Sequence, residues 1–181
     1  MPRPRRVYIP GLSVHAFQRG LNRRTVVHDE SDYAYLLAQI AEAAIDGGID
    51  VHGFSLMTTH FHVVVTPKHP RGLPDAMHDI DGQYSRYYNR KYNRIGHLWN
   101  GPYGATIIED ERQWLTCLRY VDLNAVHAQV VKNPAADPWS SYRVHALGEP
   151  CEWLVEHPVY TGLGPTPGER QAAYRAICSE T

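Results

Sequence analysis

The sequence predicts an α+β domain in which a small antiparallel sheet carries helices packed on one face. Patterns typical of strands and helices follow the order strand, helix, strand, strand, helix, strand, helix, which favours this class. Two of the strands are separated by a link short enough for a hairpin. The chain has 181 residues, 43% of them hydrophobic, so it can form one domain with a substantial core.

The first half of the chain is predicted to form three strands and one helix. The strands occupy residues 12–18, 49–57 and 60–66. Between the first two strands, apolar residues recur with helical spacing from about Ser31 until Gly47 and Gly48 end the pattern. The link around Thr58 and Thr59 predicts that the second and third strands form a hairpin.

The second half of the chain is predicted to contain more helix than strand. The predicted elements are a helix over residues 73–92, a short strand over 105–108, a helix over 111–131 and a last helical segment over 168–178. Asp110, followed three residues later by Gln113, is typical of a capped helix start. The chain between the last two helices is rich in proline, glycine and tryptophan.

Charge is strongly segregated, although the formal net charge is only -1. Residues 1–24 carry +6 and residues 82–104 carry +4, without an acidic residue in either segment. Residues 25–81 carry -7 and residues 105–181 carry -4. Two basic segments, the second rich in tyrosine, are what a polyanion-binding face requires. Chance clustering on a solvated surface is the alternative explanation.

Hydropathy and cysteine content predict a soluble protein of the cytoplasm that does not contact a membrane. No stretch reaches the roughly 18 apolar residues that a membrane-spanning helix needs. The basic start of the chain is not followed by the apolar segment of a signal peptide. The three cysteines are widely spaced and form no CxxC pair, which favours reduced thiols.

The sharpest local motif is His60-Phe61-His62 in the third predicted strand. Alternate residues of a strand point to the same face, so the two imidazoles would lie side by side. Two neutral imidazoles at this spacing can ligate a divalent metal ion if a third ligand is added. Because the chain has 11 histidines, such a motif also arises by chance.

Tyr120 and Asn124 are predicted to share one face of the helix after Asp110, since residues four apart are one turn apart. Tyr120 could attack as a nucleophile while the side-chain oxygen of Asn124 completes a metal site. A tyrosine with a pKa near 10 is only about 0.1% phenolate at pH 7. A metal ion at the attacked phosphate would offset much of that deficit. Considered alone, Tyr120 is better explained as an ordinary helix residue.

Taken together, several separated motifs resemble the single-tyrosine HUH transposases of the insertion-sequence type, and most closely the REP-associated tyrosine transposases. The resemblance covers about residues 3–143. Its motifs are RRVYIPG, HAFQRGLNRR, GIDVHGFSLMTTHFHVVVTP, QYSRYYNRKYNRIGHLWNGPY and YVDLNAVHAQVVKNPAADPWSSYR. In this resemblance His60 and His62 match the metal-binding histidines, Tyr120 the catalytic tyrosine and Asn124 the third metal ligand.

The chain departs from the family pattern at three places that spare the nucleophile and the predicted ligands. Residues 58–59 are Thr-Thr where the family commonly has Pro-Asn, and residues 124–128 are NAVHA in place of NPVRA. Pro102 replaces a common arginine. The missing arginines put DNA affinity or sequence preference in doubt, whereas the chemistry is expected to be retained.

The resemblance implies a ferredoxin-like, HUH endonuclease-like fold and a metal-dependent endonuclease and strand transferase. The implied substrate is single-stranded DNA at hairpins of repetitive extragenic palindromes, in DNA transposition or recombination. Tyr120 would attack a phosphodiester, release a 3′-hydroxyl and stay joined to the 5′-phosphate. One Mg²⁺ or Mn²⁺ ion would be held by His60, His62 and Asn124. A bacterial, cytoplasmic and nucleoid-associated protein is expected, either monomeric or homodimeric.

On the same basis the chain divides into a catalytic domain and a tail. The catalytic domain would span residues 1–143, and residues 144–181 would form a C-terminal extension that can pack on the same domain. A role for this extension as a cover of the active site is a hypothesis without support from individual residues.

The basic segments are then the expected DNA-binding surface. The residues predicted to bind DNA are Arg3, Arg5, Arg6, Arg23, Arg24, Arg86, Arg90, Lys91, Arg94 and Trp99. The aromatic residues that could stack on unpaired bases, at about 1–3 kcal/mol each, are Tyr87, Tyr88, Tyr92 and Trp99. Packing in the core is the alternative for these aromatic residues. His127 is either a further contact in the site or an exposed helix residue.

Three other functions fit parts of the pattern. A non-catalytic hairpin DNA-binding protein derived from a transposase would not need both histidines, the tyrosine and the asparagine together. A rolling-circle replication initiator shares the histidine pair and the tyrosine chemistry but often carries a helicase domain, for which 181 residues leave no room. A metal hydrolase acting on a small molecule explains neither the basic segments nor Tyr120.

Overall fold

A four-stranded antiparallel sheet in the order β2-β3-β1-β4 organises the computed structural model, which describes residues 6–179. The strands are β1 (Val14–Arg19), β2 (Ile49–Leu56), β3 (His60–Pro67) and β4 (Gly104–Ile107). Helix α1 (Glu30–Ile45) connects β1 to β2, and helix α2 (Gly72–Lys91) connects β3 to β4. This β-α-β-β-α-β order with its antiparallel sheet is a ferredoxin-like arrangement. The predicted α+β class is therefore confirmed.

The chain after β4 is helical within the described residues. Its helices are α3 (Glu111–Asp122), α4 (Asn124–His127), α5 (Tyr142–Leu147), α6 (Pro158–Thr161) and α7 (Pro167–Ser179). Short 3-10 turns lie at Leu21–Arg23 and Pro134–Ala136. No helix between residues 6 and 179 combines the length and the apolar character needed to cross a membrane.

The start of α3 agrees with the sequence, whereas its end does not. The Asp110 carboxylate accepts a hydrogen bond from the backbone N–H of Gln113 at 2.7 Å, and the Gln113 side chain accepts one from the N–H of Glu109 at 2.5 Å. The single helix predicted over residues 111–131 is interrupted at Leu123, where φ is -96° and ψ is 8°. Val121 and Leu123 are both buried, so the apolar pattern continues through the break and does not reveal it.

Both faces of the sheet are covered. Phe61, Val63 and Val65 of β3 belong to a core that also contains residues of α1 and α2. Val64 points the other way and packs in a second cluster, which includes Trp114 of α3. The prediction of helices on one face therefore holds for α1 and α2, but α3 and the C-terminal helices cover the opposite face as well. Three successive valines make β3 apolar on both sides, and each side has to be shielded from water.

The register of β1 determines which side chains share the face under α3. Phe17 lies opposite His62, and Arg19 lies opposite His60. On the other side of β1, Phe17 lies opposite Gly104 of β4. A Cβ atom at Gly104 would come within 2.2 Å of the Phe17 ring, so any other residue at this position would have to displace that ring. His60 and His62 are thereby fixed on the side of the sheet that α3 covers.

The C-terminal residues share a core with α3. The second cluster contains Leu118 of α3 together with Ala146, Tyr160 and Tyr174. The domain boundary predicted at residue 143 falls inside α5. Ala146 of α5, Tyr160 of α6 and Tyr174 of α7 thus pack in one core with the helix that carries Tyr120.

Asp81 of α2 is a carboxyl group in a poorly solvated position. Gln18 Nε2 donates a hydrogen bond to its Oδ2 at 2.7 Å, whereas its Oδ1 is buried and has no hydrogen-bond partner among residues 6–179. Burial raises the pKa of Asp81 from 3.8 to about 7, against an opposing effect of the Gln18 hydrogen bond.

We expect the Asp81→Asn variant to become more stable relative to the wild type as the pH rises from about 4 to about 7. Over this range the carboxyl group of the unfolded chain loses its proton while that of the folded chain keeps it, so rising pH favours the unfolded wild type. Thermal unfolding of both proteins across this range measures the effect. Asp79→Asn, an exposed change on the same helix, is the control. A difference in Tm between Asp81→Asn and wild type that does not change with pH would contradict the expectation.

Candidate active site

The rings of His60, His62 and Tyr120 come together beside the sheet. The ring centroids of His60 and His62 are 5.0 Å apart with their planes at 87°, and the Tyr120 ring lies 5.7 Å from that of His62. His62 is 5% exposed, while Tyr120 is 45% exposed. Buried His62 and half-buried His60 therefore lie next to a tyrosine that a large substrate can reach.

His15 of β1 joins this cluster and was not singled out from the sequence. Its Nε2 lies 2.8 Å from Nδ1 of His62, and the two rings stack with centroids 5.0 Å apart. Its ring is also 6.1 Å from that of Tyr120. Strand alternation already puts His15 on one face with Phe17 and Arg19. The missing information was the pairing of β1 with β3, which no local pattern contains.

The hydrogen bonds around His62 bear on which of its ring nitrogens carries the proton. His62 Nε2 is buried without a hydrogen-bond partner in the described part of the chain. A proton there would be a buried donor without an acceptor, so we assign the proton of His62 to Nδ1, which donates it to His15 Nε2. His60 Nδ1 lies 2.9 Å from the hydroxyl of Thr59, which can either donate or accept, so this contact is compatible with both tautomers of His60.

Burial keeps these imidazoles neutral. Together with smaller effects of nearby His15, His60 and Arg19, it lowers the pKa of His62 to about 2. Burial also lowers the pKa of His15, and together with Arg19 that of His60. A neutral imidazole with an unprotonated ring nitrogen is the form that ligates metal ions.

The histidine pair fits a divalent metal ion on this chemistry. The Nε2 atom of His62 is buried and has no hydrogen-bond partner among the described residues, so its lone pair is available to a metal ion. Residues 6–179 contain no group of three or more His, Cys, Asp or Glu side chains that could hold a metal ion, so a third protein ligand would be of another type. Asn124 is such a residue, 6% exposed and at the start of α4. Its role as a ligand stays a prediction.

The residues around Tyr120 include His127. The His127 side chain is exposed, and its ring centroid lies 6.0 Å from that of Tyr120. His127 is thus both an exposed helix residue and a neighbour of the candidate nucleophile.

The residues predicted to bind DNA differ in how freely they face solvent. Arg23, Arg86 and Arg90 are exposed. Arg6 is exposed as well, but its guanidinium donates to the Tyr103 carbonyl at 2.5 Å and lies 5.0 Å from the centroid of that ring. The half-buried members are Arg24 and Arg94. Arg3 and Arg5 lie outside the described residues.

Lys91 and several aromatic residues of the second basic segment have partners within the protein. Lys91 Nζ lies 2.8 Å from Asp29 and 2.7 Å from Asp32, so its charge is compensated. The Tyr92 hydroxyl donates to Asp32 at 2.6 Å. Trp99 is 8% exposed, and its indole N–H donates to the backbone carbonyl of Asp81 at 3.0 Å. For Trp99 the structure shows the packing that was the alternative to base stacking.

Tyr87 and Tyr88 are held by hydroxyl hydrogen bonds. Tyr87 donates to Asp32 at 3.0 Å, and Tyr88, which is 3% exposed, donates to the Thr25 carbonyl at 3.1 Å. Stacking of these tyrosines on DNA bases stays a prediction, and it would require the half-buried Tyr87 and Tyr92 rather than Tyr88.

Comparison with known families identifies the chain. The family model described as transposase, IS200-like, matches residues 9–124. The chain belongs to the IS200-like transposase family. The matched stretch contains His60, His62 and Tyr120 and ends at Asn124, so the predicted site lies within it. Membership of this family confirms the predicted family and supports a transposase-like function.

Solved structures agree with this family at the level of the fold. The structure of a REP-associated tyrosine transposase bound to a REP hairpin has a TM-score of 0.66 and 18% identity, over 88% of this chain and 93% of that chain. The tRNA(His) guanylyltransferase from Saccharomyces cerevisiae has a TM-score of 0.51 and 11% identity, over 99% of this chain and 83% of that chain. At these identities both likenesses show the fold alone. A search of the curated proteins found no match.

We expect His62 to stay neutral, with its proton on Nδ1, at about pH 5, where an ordinary histidine is charged. The reason is the burial that depresses its pKa and the acceptor that His15 provides. Two-dimensional NMR of ¹⁵N-labelled histidine rings distinguishes both tautomers from the charged form. Exposed His97 provides the comparison in the same spectra. A His62 ring that becomes charged between about pH 6 and 7 would refute the assignment.

Proposed function

We propose that the protein is a metal-dependent endonuclease and strand transferase that acts on single-stranded or hairpin DNA through a 5′-phosphotyrosine intermediate on Tyr120. The observation that carries the proposal is the placement of the half-exposed Tyr120 beside His62, with their ring centroids 5.7 Å apart. The Nε2 atom of this histidine is buried and lacks a hydrogen-bond partner among the described residues. Membership of the IS200-like family supports the reaction class.

The substrate part of the proposal is a hairpin of a repetitive extragenic palindrome. It is supported by the shared fold with a REP-associated transposase that was solved with a REP hairpin. The exposed side chains of Arg23, Arg86 and Arg90 would contact phosphates and orient the strand. A monomer and a homodimer both remain compatible with this proposal.

The cleavage step exchanges one phosphoester bond for another. Tyr120 Oη forms a bond to the phosphorus, and the bond from phosphorus to the 3′-oxygen breaks with its electron pair on that oxygen. Tyr120 loses its proton and the 3′-oxygen gains one, so no net proton is released. Attack by a second 3′-hydroxyl on the phosphotyrosine reverses the exchange, rejoins the strand and restores Tyr120. No outside energy source is required, because the number of phosphoester bonds is unchanged.

His60, His62 and Asn124 would hold the Mg²⁺ or Mn²⁺ ion. When bound, the ion supplies positive charge that polarises the attacked phosphate. His15 fixes the orientation and tautomer of His62, as partners of metal-bound histidines commonly do. Arg19, opposite His60 in the sheet, adds a fixed positive charge beside the site.

We expect wild-type protein incubated with metal and hairpin DNA labelled at its 3′ end to form a labelled band on a denaturing gel. The label stays with the protein because Tyr120 joins the 5′-phosphate of the fragment that carries the labelled 3′ end. Tyr120→Phe should form less than about 1% of this adduct, since it removes the nucleophile. Tyr35→Phe, which removes the hydroxyl of a half-buried tyrosine on α1, is the control and should form it normally.

Tight hairpin binding without an adduct would instead indicate a non-catalytic DNA-binding protein. An adduct of normal yield on Tyr120→Phe would assign the chemistry to another residue.

We expect His15→Phe to weaken Mn²⁺ binding by about 10- to 100-fold. The phenyl ring keeps the packing but removes the acceptor of the His62 Nδ1 proton. The electron paramagnetic resonance signal of free Mn²⁺ measures the affinity without DNA. His127→Phe replaces another ring next to Tyr120 and should leave the affinity unchanged. Equal effects of the two substitutions would argue against orientation of His62 by His15.

A further inference from the structure

We propose that the buried carboxylate of Asp122 is a positioning group for Tyr120 and Asn124, and that helices α5 and α7 act on the active site through it. The inference rests on the proposed function and adds a role for the C-terminal residues, which up to residue 179 contribute no group to the histidine and tyrosine cluster. Asp122 would not touch substrate or metal ion.

Three donors from outside α3 hold the Asp122 side chain, which is 1% exposed. His145 Nδ1 lies 2.9 Å from Oδ2, and the Tyr174 hydroxyl donates to the same oxygen at 2.8 Å. The Ser141 hydroxyl donates to Oδ1. A buried carboxylate is tolerated only when its oxygens are hydrogen-bonded in this way. These three hydrogen bonds therefore fix the orientation of the buried Asp122 side chain.

The position of Asp122 in the chain connects these hydrogen bonds to the active site. It ends α3, two residues after Tyr120 and two before Asn124. The helix is interrupted at Leu123, so a continuous helix does not fix Asn124 relative to Tyr120. Residues two apart on a helix point about 200° apart, so Asp122 anchors the back of α3 while Tyr120 faces the histidines. Rotation of α3 that moved Tyr120 away from His62 would break the bonds to Asp122.

The donors to Asp122 are themselves anchored. Ser141 donates its backbone N–H to the carbonyl of Phe54 on β2 at 2.9 Å, and its hydroxyl oxygen accepts the Phe54 N–H at 2.9 Å. The His145 carbonyl accepts the Tyr160 hydroxyl at 2.7 Å. Tyr174 of α7 is 0% exposed. The network thus ties the end of α3 to β2, which pairs with the strand that carries His60 and His62. It also gives a structural role to Ser141, the second serine of the Trp-Ser-Ser sequence at residues 139–141.

Two tyrosines in the same cluster provide a matched pair of variants. Tyr174→Phe removes a hydroxyl that donates to the Asp122 carboxylate, whereas Tyr160→Phe removes one that donates to a backbone carbonyl. Both side chains are buried, at 0% and 3% exposure, so both variants should lose a similar amount of thermal stability. Only Tyr174→Phe should affect the segment of residues 120–128.

The test combines amide hydrogen exchange with kinetics of adduct formation on a 3′-labelled hairpin. Tyr174→Phe should speed exchange in residues 120–128 by about fivefold or more relative to Tyr160→Phe. It should lower kcat by about tenfold with KM unchanged, as expected when a group acts on the reacting tyrosine rather than on binding. If Tyr174→Phe does not fold, Ser141→Ala replaces it, with Ser140→Ala as its control, since Ser140 is also buried.

Equal exchange and equal kcat in the two tyrosine variants would overturn the proposal. The same holds if Tyr174→Phe behaves like wild type in both measurements. A wild-type protein that forms no adduct would refute the proposed function instead, and the exchange comparison would then decide the positioning role without reference to DNA.

Discussion

The pairing of β3 with β1 is the constraint on which the rest of the site depends. A slip of one residue would turn His60 and His62 toward α1 and α2, because neighbouring side chains of a strand face opposite ways. The slip is opposed because it would move two polar imidazoles into the apolar core under α1 and α2 and would turn buried Phe61 out of that core. Phe61 and Val63 are enclosed on the α1 and α2 side, and Val64 is enclosed on the side of α3. The two cores therefore stabilise one register of β3, and this register sets the positions of His60 and His62.

The same burial sets the chemistry of the histidines. Removal from water keeps His62 neutral and leaves its Nε2 without a hydrogen-bond partner among residues 6–179. Buried polar atoms without partners are uncommon in folded proteins and often mark functional positions. Tyr120 next to it is half exposed. The contrast between the buried His62 nitrogen and the accessible Tyr120 hydroxyl fits the proposed reaction, in which metal-binding nitrogens must stay unprotonated while the nucleophile must meet a strand of DNA.

Local patterns were sufficient for the elements and for part of the site. The hairpin of β2 and β3, the capped start of α3 at Asp110 and the shared face of His60 and His62 all follow from interactions between residues close in sequence. The interruption at Leu123 does not, since Val121 and Leu123 are both buried and the apolar pattern continues through the break. The cover on the second face was missed because it comes from helices that are distant in sequence from the strands they shield.

Long-range contacts account for the remaining differences. His15 meets His62 only through the pairing of β1 with β3. Lys91 was assigned to DNA binding from the charge of its segment, but Asp29 and Asp32, some sixty residues earlier, compensate its charge. Charge counted along the chain does not show which cations are paired in space. Trp99 likewise lies in a basic segment and yet packs in the core.

Identification of the residue that becomes joined to DNA tests the central claim most directly. After reaction with hairpin DNA and metal, the protein is digested with nuclease and trypsin, and the peptides are sequenced by mass spectrometry. The account predicts a nucleotide phosphate on Tyr120 in the peptide of residues 120–132, which trypsin releases after Arg119 and Lys132. A nucleotide on a different tyrosine or on a serine would contradict the assignment of the nucleophile, and with it the role given to the neighbouring histidines.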